Sequence, residues 1–417
     1  MHVVGAYSTV LVTLGLVVAR PRLGFGRARP RLNPAMAALA GVLVLGVLGA
    51  VRLGDVTDAA RTLWRPLIGV AAIMAMAASA RALGLLDAIA ARVMGAADTP
   101  APRLFARVFF GSAIAAAMLN NDAAILLLTP LVVSVVKRRY PSLVPQFAFA
   151  VFMSAGVAPT LVSNPMNLVV ATYAGLGFNA YAARMAPVSI VGALVTFAVL
   201  RALFHRALSA APPPTAIEPT APALTPARKV AFAVLFGVVA LYPVASYLGA
   251  PVWVVASAGA LVLTAIAARA TGEAPLVTLR REVHWDVLVF LLAVFVLAVG
   301  LRNVGFVDHL TAAYAGGGLA RVGALSALGS ATINNHPMGL LAMMALPSGD
   351  HGRLLAALVG GDLGPRLLPI GSLAGLMWME LLRRQGVTVR VGAFVTIGAA
   401  VTIPTLLACL AALHLIL

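Results

Sequence analysis

The sequence predicts an all-α polytopic membrane protein built from two inverted-topology repeats. Each repeat holds a re-entrant hairpin and a broken transmembrane helix, giving about 10 spans plus two hairpins. Three observations predict it. The chain of 417 residues is 61% apolar and only 10% charged, with a mean hydropathy of +1.00. A soluble domain carries roughly 45–50% apolar and about 25% charged residues, so these few charges cannot cover a water-facing surface. Apolar runs recur along the whole chain at the length that crosses a bilayer, about 20 residues. Finally, the two halves align with each other across a Pro/Ala-rich linker.

The apolar runs fall at 3–19, 35–53, 64–82, 105–119, 123–136, 147–173, 187–204, 230–248, 252–268, 285–301, 319–333, 338–346, 354–379 and 391–415. The first is followed by Arg20, Arg22, Arg27, Arg29 and Arg31 without a small-residue cleavage pattern, so it reads as a first span or signal anchor. Residues 1–63 are N-terminal spans, 64–207 the first repeat, 208–228 a cytoplasmic linker, 229–284 peripheral spans and 285–417 the second repeat. The linker carries Pro212, Pro213, Pro214, Pro219, Pro222 and Pro226, a composition that stays extended. A short helix at 85–94 is expected to lie at the membrane surface.

Short cytoplasmic loops of membrane proteins collect basic residues. The net charge of +17, from 30 basic and 13 acidic residues, is therefore a topology signal and not a nucleic-acid footprint. The arginine clusters at 20–31, 92–107, 269–281 and 383–390, with Lys137–Arg139 and Arg206–Lys229, mark the inside. Both termini are then outside and the linker inside.

The repeat is visible residue by residue. Trp64 lies 221 residues before Trp285, and at that offset Arg81, Gly84 and Asp87 match Arg302, Gly305 and Asp308. Asn120-Asn121-Asp122 matches Asn334-Asn335-His336 at an offset of 214, which Ser112 and Ser326 share. Trp64 enters from outside and Trp285 from inside, so the repeats are inverted. Secondary transporters of this design place the solute near the midplane on broken helices.

Four polar breaks mark that site. Asn120-Asn121-Asp122 lies between two apolar arms whose outer flanks are both basic, as a hairpin with a buried tip requires. Asn334-Asn335-His336-Pro337 is the matching tip from the other side. Residues 158–167 interrupt one run with Pro159, Ser163, Asn164, Pro165 and Asn167. The corresponding stretch holds Gly360, Gly361, Asp362, Gly364, Pro365 and then Pro369, Gly371 and Ser372. Freed backbone groups and half-helix ends suit a polar solute. The expected solute-binding residues are Asn120, Asn121, Ser163, Asn164, Asn167, Asn334, Asn335, His336, Gly371 and Ser372.

Asp122 and Asp362 are the acids well inside apolar runs. A carboxylate at such depth is costly and marks function by default, and both are candidate proton carriers, with Arg366 as charge partner. Asp286 and Glu380 sit at span ends, where a solvated role is expected. Isolated serines such as Ser79, Ser134 and Ser257 read as helix-packing glue. Cys409 is the single cysteine, and no HExxH or carboxylate cluster is present, so no metal site, catalytic centre or cofactor is expected. No GxxxxGK[ST] loop is present, so the chain hydrolyses no nucleotide by that mechanism. A membrane-embedded enzyme or channel-like scaffold would leave the inverted repeat unexplained.

The stretch Asn120 to Pro130 resembles the hairpin motif of the ArsB-type arsenite efflux proteins, an Asn-Asp pair before a small and apolar run ending in Thr-Pro. Ser163-Asn164-Pro165-Met166-Asn167 looks like that family's Ser-Asn-x-x-Asn break, and Asn334-Asn335-His336-Pro337 is similar to its Asn-Asn-x-Pro. Gly361 to Ala374 reads almost residue for residue like its C-terminal signature, with a basic residue at the place of Arg366. Three positions depart: His336 replaces an apolar residue, often methionine; Ala123 replaces the common glycine; and Gly360-Gly361 stands where Gly-Cys is frequent. The resemblance implies export of arsenite or antimonite in exchange for protons, across the bacterial inner membrane. Some members work with an ATPase subunit; this sequence neither supplies nor forbids one, and it is compatible with a homodimer. The wider superfamily also holds sodium/proton antiporters and dicarboxylate transporters, and polar tips alone would suit those too. Arsenite is a neutral trihydroxide at pH 7, and a chain with one cysteine must bind it through oxygen and nitrogen, not thiolates.

Overall fold

The computed structural model describes residues 2–19, 21, 32–85, 88–89, 92, 98–118, 121–156, 161–213, 225–283 and 285–417. Among these residues the chain is helical throughout, with no strand. The helices are α1 (His2–Ala19), α2 (Pro34–Val47), α3 (Leu53–Ala82), α4 (Ala101–Met118), α5 (Asn121–Arg139), α6 (Val144–Ala155), α7 (Pro165–Tyr173), α8 (Phe178–Leu203) and α9 (His205–Ser209). After the linker come α10 (Pro226–Tyr247), α11 (Val252–Thr271), α12 (Pro275–Glu282), α13 (Trp285–Asn303), α14 (Phe306–Tyr314) and α15 (Leu319–Ile333). The chain closes with α16 (Asn335–Ala345), α17 (His351–Leu363), α18 (Leu373–Arg384) and α19 (Val391–Ile416). Seven of the described helices are long and apolar enough to cross a membrane: α3, α4, α8, α10, α11, α13 and α19.

The same series of elements occurs twice. A long helix (α3, α13) leads to a hairpin (α4–α5, α15–α16), then two half-helices joined by a break (α6–α7, α17–α18), then a closing helix (α8, α19). Between the starts of α3 and α13 lie five crossings: α3, the α6–α7 pair, α8, α10 and α11. A hairpin adds none or two. Five is odd, so the repeats point in opposite directions. Gly84 and Gly305 carry the same left-handed turn, with φ of 65° and 87°. The turns that end α7 and α18 likewise share a left-handed glycine, Gly175 and Gly386. Side chains would strain the backbone at both pairs.

Caps show why the helices start where they do. Asn33, Asn164, Thr225 and Ser372 each accept a backbone N–H of the first turn, and in three of the four the next residue is proline. Proline at the first helical position gives up an N–H that would have no partner. The breaks are thus also helix starts.

The peripheral helices are exchanged between repeats. α2 packs on α13, and α11 packs on α3, where Ser79 and Thr264 share a hydrogen bond of 3.0 Å. The closing helices α8 and α19 pack on each other. Phe149, Phe152, Trp378 and Phe394 form one aromatic cluster joining α6, α18 and α19. Large apolar side chains such as Leu43, Val47, Phe236, Leu261 and Leu407 face outward. In water they would form a sticky surface; against acyl chains they cost nothing.

Two expectations are corrected. α3 begins at Leu53, eleven residues before Trp64, while the second span ends at Val47. At the 221-residue offset, the early part of α3 corresponds to α12, so one continuous helix in the first repeat is two in the second. Gly360 and Gly361 lie inside α17, which runs on to Leu363; the break starts at Gly364. The linker is flanked by α9, which ends at Ser209, and by α10 from Pro226; residues 214–224 lie outside those described. Most of the surface helix expected at 85–94 also lies outside them, but α14 occupies its place in the second repeat.

Candidate functional site

Each hairpin is tied to the break of its own repeat, and the two breaks are tied to each other. The backbone N–H of Asn121, at the start of α5, donates to the Ser163 carbonyl at 2.8 Å, tying the first hairpin to the first break. In the second repeat, Ser330 on α15 donates to the Gly361 carbonyl at 2.7 Å. Across the repeats, Asn164 Nδ2 donates to Asp362 Oδ1 at 2.6 Å. Asn167 Nδ2 donates to Ser163 Oγ at 3.3 Å and also lies beside Asp362. Asn164, Asn167, Ser163 and Asp362 are all buried, and Asp122, partly buried, is near enough to Asp362 for their charges to interact.

The second tip is built on strain. Asn334 adopts φ 83° and ψ 150°, and it is the one non-glycine residue of positive φ among those described. That region is nearly exclusive to glycine, at a cost of order 1–3 kcal/mol. Its Oδ1 accepts from the backbone N–H of His336 at 3.3 Å and lies 3.3 Å from His336 Nδ1. The His336 ring stands edge-on to Phe290 of α13, with centroids 6.1 Å apart. α16 packs against α7, where Met166 lies over Gly339.

Four buried polar atoms at these tips carry no protein hydrogen bond: Asn121 Oδ1, Asn334 Nδ2, Asn335 Oδ1 and His336 Nε2. Buried polar groups are nearly always paired, and one left over needs a reason. The amide oxygens of Asn121 and Asn335 can accept and the Asn334 Nδ2 can donate, and none of these amides carries a net charge. Among the described residues no cluster of three His, Cys, Asp or Glu could hold a metal ion.

Other expected residues serve differently. Ser372 Oγ caps α18, accepting from the Gly375 N–H at 2.9 Å. Gly371 is a packing position, since a methyl there would press on the Cα atoms of Pro365 and Ala331. Arg366 forms no ion pair with Asp362; its Nη1 donates to Thr196 at 3.2 Å, although the two charges lie within Coulomb range. Asn120 lies outside the described residues. Asp286 is met by Asn33 at 3.5 Å, and Glu380 pairs with Arg383 and Arg384, all at span ends.

A cavity of about 700 Å³ runs between α5 and α18. Its lining includes the charged Arg81, Glu380, Arg383 and Arg384 and the apolar Leu126 and Leu376. Those leucines stand one helical turn from Asp122 and Ser372 respectively.

The arrangement now has a relative. A family model described as ArsB, arsenical pump membrane protein, matches residues 7–417. The chain belongs to the ArsB family. It is 30% identical to the arsenical pump membrane protein of Escherichia coli (strain K12), with 97% of each chain covered. It is 30% identical to that of Yersinia enterocolitica over 98% of each, and 26% identical to the putative arsenical pump membrane protein of Bacillus subtilis (strain 168) over 88% of this chain and 91% of the other. The crystal structure of the Alcanivorax borkumensis YdaH transporter matches with a TM-score of 0.61 at 16% identity, covering 99% of this chain and 98% of that one. That likeness concerns the fold. This ArsB-family chain is accordingly a multi-pass membrane transporter of the bacterial inner membrane.

Three residues of the site were not read from the sequence. Ser330, which tethers α15 to α17, sits in a small-residue series with Gly323 and Ala327, a pattern that signals close helix packing. Thr196 and Tyr181 on α8 gave no such signal. Tyr181 is buried within Coulomb range of Asp362, and single hydroxyls in long apolar runs are too common to stand out.

Proposed function

We propose that this chain exports arsenite and antimonite from the cytoplasm in exchange for protons. The observation that carries the reading is the hydrogen-bonded junction of the two breaks with each other and with their hairpins, Asn164 to Asp362, Asn121 to Ser163 and Ser330 to Gly361, in a fold whose hairpin tips hold buried amides with unused hydrogen-bonding atoms. Asn121, Asn334, Asn335 and His336 hold the hydroxyl groups of a neutral trihydroxide, while Ser163, Asn164 and Asn167 shape the first break. A neutral solute adds no charge-burial cost. Asp122 and Asp362 carry the protons, since a carboxyl group can stay neutral in transit. With the arginine-rich ends in the cytoplasm, the α5–α18 cavity is the solute's entrance and both termini are outside. Tris-thiolate capture would hold the cargo too tightly for release, and one buried cysteine forbids it.

The test uses inverted vesicles containing the protein, an acid-inside proton gradient, and labelled arsenite, sodium and succinate followed side by side. Gradient-dependent arsenite uptake is expected. Sodium or succinate uptake without arsenite uptake would overturn the reading.

A further inference from the structure

Arg366 is 2% exposed, at the end of the turn that follows α17. Its Nη1 is pinned to Thr196 at 3.2 Å, and Thr196 shares a 3.1 Å hydrogen bond with Thr405 of α19. α19 lies directly on the Arg366 backbone, where a methyl on Gly398 would collide with the Arg366 carbonyl. The other edge of the guanidinium, Nε and Nη2, has no acceptor. It lies over Gly156, where a methyl would come within 3.0 Å of Nε and 3.2 Å of Nη2. The same methyl would be 3.3 Å from the Asp362 carbonyl oxygen, so the free edge and the Asp362 backbone share one floor. A guanidinium held at this depth by one hydroxyl is poorly compensated. Within Coulomb range lies the carboxyl of Asp362, one turn earlier, which is engaged by Asn164 of the other repeat.

We propose that the Asp362 carboxyl has two stations, and that Arg366 is the positioning residue that supplies the second. In the first station the carboxyl accepts from Asn164 and ties the two breaks together. In the second it turns to the Nε–Nη2 edge of Arg366, forms a bidentate pair and releases Asn164. Proton occupancy chooses between them. A neutral carboxyl gains little from a cation, whereas a carboxylate gains a charge-assisted, two-point bond roughly twice as strong as a neutral one. The proton passes to water, so its departure is converted into loss of an inter-repeat contact. Other titratable groups on the packed elements are Asp122 on α5, His336 on α16, Tyr181 on α8 and Cys409 on α19. Of these, ionised Asp122 would favour the second station by repelling Asp362 from the first break. The inference rests on the proton-coupled exporter reading and gives that coupling its contact.

The test compares Arg366→Gln, Arg366→Lys, Asp362→Asn and the double variant Asp362→Asn/Arg366→Gln in proteoliposomes. Gradient-driven arsenite uptake and gradient-free arsenite counterflow are measured for each. Arg366→Gln should lower both by at least about tenfold, because a buried carboxylate is left without its partner. Adding Asp362→Asn should recover counterflow but not the gradient response, a rescue that a merely structural arginine would not give. Arg366→Lys, and Gly156→Ala, which keeps both charges but crowds the fork, should each weaken gradient-driven uptake. Full gradient-driven uptake by Arg366→Gln, or no rescue in a double variant that elutes as folded protein, would overturn the proposal. An infrared carboxyl band lost in Asp362→Asn gives a readout independent of cargo. Its pH midpoint should move in Arg366→Lys, and an unmoved midpoint would equally overturn the two stations. Wild-type protein that shows the moving band but no arsenite counterflow would instead sink the exporter reading.

Discussion

Asn334 shows how much of this site is set by single residues. Its amide caps α16 while its backbone holds a conformation that suits glycine. Asn334→Ala loses the cap and keeps the strain, and should cost about 1–2 kcal/mol. Asn334→Gly loses the cap but relieves the strain, and should cost less. Thermal unfolding midpoints in detergent check the order; equal midpoints would remove the strain argument. The two carboxyls make a second prediction. Asp122→Asn and Asp362→Asn should each reduce pH-driven arsenite uptake in vesicles, and full activity in both would end the proton-carrier assignment. The Asn-Asn pairs, the two deep acids and the Ser-Asn-x-x-Asn break stood out in the sequence because polar clusters are expensive in apolar runs. Thr196 and Ser330 did not, because one hydroxyl can satisfy itself on its own helix, as Ser257 does on Trp253.

At the scale of elements, two adjacent glycines have opposite roles. A methyl on Gly360 would strike the Gly323 carbonyl of α15, whereas one on Gly361 meets nothing within 4 Å. Gly360→Ala should therefore destabilise by about 1–3 kcal/mol through overpacking. Gly361→Ala and Gly361→Cys should fold as well as the parent, since a side chain there meets open space. Detergent melting curves decide, and equal losses at both positions would show the packing argument to be wrong. The sequence reads both glycines as part of the break, since each costs a helix about 1 kcal/mol relative to alanine. Close packing of α17 on α15 overrides that preference, and no local pattern reports it. The splitting of α12 from α13, against the unbroken α3, is equally invisible, because both stretches are short and mixed in polarity.

For the whole molecule, parity and arginine placement make a topology prediction. Cys409 is the single cysteine, so a Cys409→Ser background carries no competing thiol. A cysteine at exposed Ala210 should react with a membrane-impermeant maleimide in inverted vesicles, and one at exposed Ala315 in intact cells. Labelling of both from the same side would refute the inversion. The hydrophobic arithmetic, the repeated Asn-Asn tips and the basic clusters thus fix a good deal without coordinates. Membrane class, repeat, inversion and the polar clusters follow from them, since each depends on what a residue costs in hydrocarbon. The tertiary structure alone decides which clusters touch. It gives Asp362 to Asn164, not to Arg366, and it seats Arg366 on Thr196. It also exchanges the peripheral helices between repeats. Those outcomes depend on distances between residues far apart in the chain, which periodicity and composition do not encode.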